Sequence, residues 1–105
     1  MPAAPTIIDR QLKTIHQLCH ENQVARLELF GSAADGTFDL ANSDVDFLVE
    51  FQPLSPADRA DAYFSLLAEL QDLFQRDIDL VESEAITNPY FKQLVDAQRT
   101  VLYAA

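Results

Sequence analysis

Three aspartates and a Gly-Ser pair are the residues of this chain whose types and spacing could do chemistry. Asp44 and Asp46 stand two residues apart at the start of an apolar run that ends at Phe51, and residues two apart on a strand face the same side. Two carboxylates held this close repel each other unless one is protonated or a cation lies between them. The spacing therefore predicts a site for a divalent cation. Mg²⁺ is favoured, because it binds a few carboxylates and completes its coordination with water and phosphate oxygens.

A later apolar run supplies the third carboxylate. Asp79 interrupts the run Ile78-Asp79-Leu80-Val81, and a charge in such a strand is costly unless it is paired or bound to a metal. Asp77 lies two residues earlier, faces the same way and is the competing candidate. If the two runs form neighbouring strands, three carboxylates can hold two metal ions, which activate an attacking hydroxyl and stabilise the leaving phosphate.

The Gly-Ser pair predicts contact with phosphate. Gly31 and Ser32 directly follow the apolar segment that ends at Phe30. A glycine lets a phosphate group approach the backbone, a serine offers a hydroxyl, and exposed N–H groups at a helix start attract anions. Gly-Ser alone is a weak pattern. Followed by an eleven-residue gap, an Asp-x-Asp and the later aspartate, it forms a strong combination.

A sheet must position these residues, and the apolar periodicity predicts one. Strands are expected over residues 26–30, 43–51 and 78–81, and helices over residues 6–22 and 55–75. Asn88-Pro89 opens a last helix, and the tail TVLY forms a short strand or packs without one. The order α, β, β, α, β, α predicts an α/β (α+β) fold, a mixed central sheet with helices packed mainly on one side.

The helix over residues 55–75 has the clearest start. Ser55 is a good N-cap, Pro56 fits the first helical position, and Asp58 places an acid in the first turn. Its predicted buried face consists of Ala60, Phe64, Leu67, Leu70 and Phe74.

Size and charge restrict the class of protein. The 105 residues fit one domain, 1–105, in which residues 1–5 are expected to be a frayed end. A net charge of −10 with seven basic residues predicts neither direct nucleic-acid binding nor membrane binding. No stretch approaches the ~20 apolar residues of a membrane span. The single cysteine, Cys19, suits a reducing cytoplasm, where we expect the protein to act.

A zinc site at the first helix is the weaker interpretation of His16, Cys19 and His20. Positions i and i+4 share a helix face, but no fourth ligand has the spacing of a structural zinc site. We expect two solvent-facing histidines beside a buried cysteine.

The quoted motifs carry a resemblance to a known superfamily. Leu29-Phe30-Gly31-Ser32 with Ser43-Asp44-Val45-Asp46-Phe47 resembles the signature of the DNA polymerase beta-type nucleotidyltransferases. More narrowly, nearly the whole chain is similar to the minimal nucleotidyltransferase (MNT) domain, the antitoxin partner of HEPN-domain toxins. The resemblance implies the polymerase beta-type fold and a hetero-oligomer with a cognate HEPN toxin. It also implies transfer of a nucleotide, usually AMP from ATP, onto a tyrosine of the toxin, with release of pyrophosphate.

The same resemblance assigns roles to the candidate site residues. Asp44, Asp46 and Asp79 would form the metal triad and hold two Mg²⁺ ions, with Mn²⁺ as the alternative. Gly31 and Ser32 would contact the triphosphate of ATP.

One stretch departs from the family pattern. Members commonly carry arginines just after the Gly-Ser, whereas residues 31–36 here read Gly-Ser-Ala-Ala-Asp-Gly, and residues 27–58 contain no lysine or arginine. Arg59 and Arg76 are the distant bases that could offset this charge. Three outcomes stay open: weak nucleotide affinity with a steep Mg²⁺ dependence, a site completed by a partner's arginine, or lost transfer activity. The alternative functions are therefore a catalytically silent antitoxin that acts by binding alone, and a small-molecule nucleotidyltransferase lacking its second subunit.

Overall fold

The computed structural model of the protein describes residues 6–30, 45–83 and 100–105. Within these ranges, four strands form one sheet: β1 (Val24–Phe30), β2 (Val45–Phe51), β3 (Ile78–Glu82) and β4 (Thr100–Ala104). The described helices are α1 (Thr6–Asp9), α2 (Leu12–Glu21) and α3 (Pro56–Phe74).

The sheet is mixed, as predicted. Its strand order is β3-β2-β1-β4, in which β1 is antiparallel to both β2 and β4, and β2 is parallel to β3. Parallel neighbours need a long crossover, and α3 provides it between β2 and β3. The tail that could have been a strand or a packed coil is the strand β4.

The start of α3 follows the capping prediction. Ser55 has an extended backbone, and its hydroxyl oxygen accepts the N–H of Asp58 at 3.2 Å, with Pro56 at the first helical position. The helix ends where Gln75 adopts the left-handed conformation, with φ 53° and ψ 44°, and its N–H donates to the Gln71 carbonyl. Both ends are set by local interactions, which is why the sequence located them well.

The two faces of the sheet differ. Val45, Phe47 and Val49 of β2 are fully buried in a core shared with the helices, which includes Leu66 and Leu70 of α3. The alternate residues of β2 therefore point away from the helices. We call this side the distal face; it carries Arg26, Glu28 and Phe30 of β1, Asp46, Leu48 and Glu50 of β2, and Asp79 and Val81 of β3. Phe30, Leu48 and Val81 form a small apolar cluster there, separate from the main core.

Two predictions about the helices need correction. The predicted helix over residues 6–22 is divided, because the Gln11 N–H bonds to the Ile8 carbonyl at 3.0 Å in a tight i→i−3 turn between α1 and α2. The predicted buried face of α3 is wrong at Ala60, which is exposed, and at Phe64, which is 65 % exposed, whereas Leu66 is buried. Much of the circumference of α3 is apolar, so periodicity alone left its rotation about its axis open.

The cysteine of α2 is structural. Cys19 is fully buried, and burial raises the pKa of its thiol to about 12. His16 and His20 are exposed, as predicted, and a ring nitrogen of His16 lies 2.7 Å from the Leu102 carbonyl oxygen. None of the helices in the described ranges has the length and apolar character to cross a membrane. The predicted helix at Asn88-Pro89 and the end at residues 1–5 lie outside the described residues.

Candidate active site

Two of the predicted carboxylates lie side by side on the distal face. In the parallel pairing of β2 with β3, Asp46 is the register partner of Asp79. Register partners on neighbouring strands project from the same face, with their backbones about 5 Å apart. Asp46 is half-buried and Asp79 is exposed. The strand pairing thus joins two carboxylates that are far apart in sequence.

The other predicted site residues, Asp44, Gly31 and Ser32, lie outside the described residues. In the chain, Asp44 directly precedes β2 and Gly31 directly follows β1. Phe30, the last residue of β1, is the register partner of Asp46. The complete triad and the phosphate contacts of Gly31 and Ser32 stay predictions.

The strand register bears on the choice between Asp79 and Asp77. Asp77 is exposed and precedes β3, and its backbone carbonyl accepts the N–H of Val45 at 3.5 Å. Asp79 lies within β3 and is paired directly with Asp46. This arrangement favours Asp79 as the carboxylate that acts with Asp46, and the assignment of the third ligand stays a prediction.

The carboxylates of Asp46 and Asp79 can supply part of the ligand set of a magnesium site. Two carboxylates in register supply the hard oxygen ligands that Mg²⁺ prefers, and Mg²⁺ commonly uses only one or two protein carboxylates. Among the residues that the structure describes, no group of three or more His, Cys, Asp or Glu side chains is arranged to hold a metal ion. Asp44, the remaining predicted donor, is not among them.

Tyr63 of α3 holds β3 from the helix side. Its hydroxyl donates a hydrogen bond of 2.6 Å to the carbonyl oxygen of Leu80. Leu80 directly follows Asp79 in the chain. Burial, and then the negative charges of Asp79 and Glu82, raise the pKa of Tyr63, so the hydroxyl stays protonated and keeps donating. Because β3 pairs only with β2 among the described strands, this bond helps to fix the position of Asp79.

Tyr63 carries no pattern in the sequence that indicates a role at the site. Tyr63 lies three residues before Leu66 and seven before Leu70, a spacing that puts all three on one side of a helix. This side is the buried one, but the sequence alone did not show which side of α3 faces the core.

Glu28 is a second residue that sequence analysis missed. Its side chain is buried on the distal face, and its Oε1 atom lies 2.8 Å from the Nε of Arg26. Glu28 is the register partner of Leu48, two residues along β2 from Asp46. The alternation in RLELF places Glu28 and Phe30 on one face, but only the strand pairing shows that Asp46 shares it.

The two distant bases lie on either side of Asp79 along the chain. The Nε of Arg59 lies 3.8 Å from Oε1 of Glu82, at the far end of β3 from Asp79. Arg76 is half-buried and directly precedes Asp77. Arg59 is therefore engaged away from the acidic pair.

A mixed sheet with helices on one face and paired aspartates on the other is the arrangement expected of a polymerase beta-type nucleotidyltransferase domain. The family model described as "Polymerase beta, Nucleotidyltransferase" matches residues 13–105, and the chain belongs to this family. No curated protein sequence matches the chain.

Solved structures have the same fold. A chain of the crystal structure of a toxin-antitoxin with AMP-PNP is 27 % identical, with a TM-score of 0.68, and the match covers 90 % of this chain and 73 % of that one. A chain of a mutant MntA-HpeT toxin-antitoxin is 26 % identical, with a TM-score of 0.64, covering 89 % and 72 %. A chain of the tri-AMPylated Shewanella oneidensis HEPN toxin in complex with MNT antitoxin is 22 % identical, with a TM-score of 0.63. The match covers 92 % of this chain and 72 % of that one, and at this identity it shows the fold alone.

Proposed function

We propose that this chain is a cytoplasmic antitoxin and a metal-dependent nucleotidyltransferase, which transfers AMP from ATP to a tyrosine of a cognate HEPN toxin and thereby silences it. The observation that carries the proposal is the register pairing of Asp46 with Asp79 on the face of the sheet away from the helices. Membership in the nucleotidyltransferase family and the similarity to a toxin-antitoxin structure with AMP-PNP support the same reaction and the same class of partner.

In the proposed reaction, the tyrosine oxygen of the toxin bonds to the α-phosphorus of ATP. The bond from that phosphorus to the α,β-bridging oxygen breaks, and pyrophosphate leaves with that oxygen. Asp79 would accept the proton of the attacking hydroxyl, and Asp44 and Asp46 would hold the Mg²⁺ ions. Gly31 and Ser32 would hold the β- and γ-phosphates. Bound Mg²⁺ would supply charge neutralisation for the phosphates and lower the barrier to attack.

Mass spectrometry of the toxin tests this proposal. The purified chain is incubated with ATP, Mg²⁺ and the toxin encoded by the neighbouring gene, which should carry an Arg-x(4–6)-His motif, and the toxin should gain the mass of AMP. Asp46→Asn should abolish the gain. Asp72→Asn, at an exposed aspartate near the end of α3, is the matched control and should leave it intact. An unmodified toxin after incubation with the parent chain would contradict the proposal.

The second candidate is a silent antitoxin that neutralises the toxin by binding alone. The absence of lysine and arginine from residues 27–58 favours it, since a triphosphate would meet a strongly negative site. Cell survival separates the two candidates. If the double variant Asp46→Asn with Asp79→Asn protects toxin-expressing cells as well as the parent does, masking is the mechanism, whereas loss of protection supports transfer.

A further inference from the structure

The distal face carries a second polar site beside the acidic pair. A cavity of about 200 Å³, which we call the distal cavity, lies along β1 and β2 and the end of β3. Its charged lining residues are Arg26, Glu28 and Glu50, all of which belong to the distal face. The other lining residues are Leu48, Val49 and Ser83.

Arg26 and Glu28 form a hydrogen-bonding pair within this cavity. The side chain of Glu28 is only 5 % exposed, and its Oε1 atom lies 2.8 Å from the Nε of Arg26, whose side chain is 44 % exposed. An ionised carboxylate has about four lone-pair sites and a guanidinium has several N–H donors, so one bond between them does not exhaust either group. The pair therefore presents an acceptor directly beside a donor.

The charges of the distal cavity favour a neutral, polar ligand. Glu50 is the register partner of Arg26, so the guanidinium has a carboxylate on each side. Two carboxylates repel a phosphate group, and a metal ion gains little where a guanidinium already neutralises one of them. An uncharged ring with hydrogen-bond donors and acceptors suits this lining.

The distal cavity lies within reach of a nucleotide bound at the acidic pair. Leu48 and Glu50 follow Asp46 by two and four residues on the same face of β2, which is about 7 and 14 Å along the strand. Glu28 is the register partner of Leu48. A nucleoside whose α-phosphate lies at Asp46 and Asp79 can therefore extend along the distal face and place its base in the cavity.

We propose that the distal cavity binds the adenine base of ATP and determines which nucleotide the chain uses; this inference rests on the proposed function. The carboxylate of Glu28 accepts a hydrogen bond from the exocyclic amino group of adenine, and the guanidinium of Arg26 donates to the adjacent ring nitrogen. Hydrogen bonds to this edge are a common means of reading a base. A base with a carbonyl oxygen and then an N–H at these two positions faces acceptor with acceptor and donor with donor, so it loses both contacts.

Calorimetric titrations of the full chain with ATP and with ITP in MgCl₂ test the base site. ITP has the same triphosphate and ribose as ATP, but its base carries a carbonyl oxygen in place of the amino group and a hydrogen on the adjacent ring nitrogen. The parent should bind ATP about 30-fold more tightly than ITP, equivalent to ~2 kcal/mol at 1.4 kcal/mol per tenfold change. Glu28→Gln, whose amide can donate as well as accept, should reduce this preference to less than about 3-fold.

Two further variants separate base recognition from structural damage. Glu21→Gln makes the same chemical change at an exposed position of α2 and should keep the preference of the parent. Arg26→Lys keeps a positive charge beside the buried Glu28 but lacks the planar fork, and it should reduce the preference to less than about 10-fold, so the test does not depend on the folding of Glu28→Gln. A merely structural defect would weaken ATP and ITP binding equally and leave their ratio unchanged.

The outcomes separate this inference from the proposed function. If the parent binds ATP and ITP equally well, the distal cavity does not read the base, and the proposed function stands. If the parent prefers ATP but Glu28→Gln and Arg26→Lys keep the full preference, another part of the chain reads the base and the inference is overturned. If the parent binds neither nucleotide, the proposed function fails and the base site falls with it.

Discussion

Replacing Asp79 with asparagine should change thermal stability in opposite directions with and without Mg²⁺. Asp46 and Asp79 are register partners on neighbouring strands, and Asp79 is exposed, so a water-like dielectric applies to their interaction. Two negative charges about 5 Å apart then repel by roughly 0.8 kcal/mol. Asparagine has nearly the same shape as aspartate but no charge, so Asp79→Asn should raise the melting temperature of the metal-free protein by about 4 °C.

With Mg²⁺ present, the parent should instead be more stable than Asp79→Asn. At about 10 mM Mg²⁺, a site with a Kd of about 1 mM stabilises the folded parent by about 1.4 kcal/mol. Asp79→Asn removes one of the predicted carboxylate ligands and should gain little stability from the ion. The variant should then be about 0.6 kcal/mol less stable than the parent, which lowers its melting temperature by about 3 °C.

Circular dichroism melts in EDTA and in MgCl₂ measure both effects. Asp77→Asn is the matched control, because it makes the same chemical change just before β3, at a residue that is not a register partner of Asp46. It should shift both melts less than Asp79→Asn does. A response of Asp79→Asn to Mg²⁺ equal to that of the parent would refute a role for Asp79 in metal binding, and so would a reversal shown by Asp77→Asn instead.

Three further predictions concern the elements that hold the site. Tyr63→Phe removes the hydroxyl that donates to Leu80 and should lower the free energy of unfolding by about 1 kcal/mol in urea titrations; an unchanged midpoint would contradict its role in fixing β3. Leu70→Ala should cost about 3 kcal/mol, and Leu67→Ala, at a half-buried position, clearly less; equal losses would contradict the rotation of α3. Cys19 should resist iodoacetamide at pH 8.5 until the protein is unfolded, because its raised pKa of about 12 keeps the thiol protonated and burial excludes the reagent; rapid labelling of the folded chain would refute this.

Local interactions explain what could be predicted of the fold. The start of α3 depends on Ser55 and Pro56, and the strands follow from short apolar runs bounded by turn residues, so these elements were found close to their observed bounds. The exposure of Phe64 could not be found this way. The rotation of α3 is set by what it packs against, and Leu66 and Leu70 face the core instead.

For the candidate site, too, local spacing could be predicted from the sequence, whereas the contact between distant residues could not. The two-residue period of a strand predicts that Asp44 and Asp46 share a face, so the sequence was enough to predict a pair of acids there. The pairing of Asp46 with Asp79 is non-local, because α3 lies between the two strands and a slip of one residue in the register would turn Asp79 to the other face. Burial of Ile78 and Leu80 against the helices, with the bond from Tyr63, selects the observed register and brings the acids together.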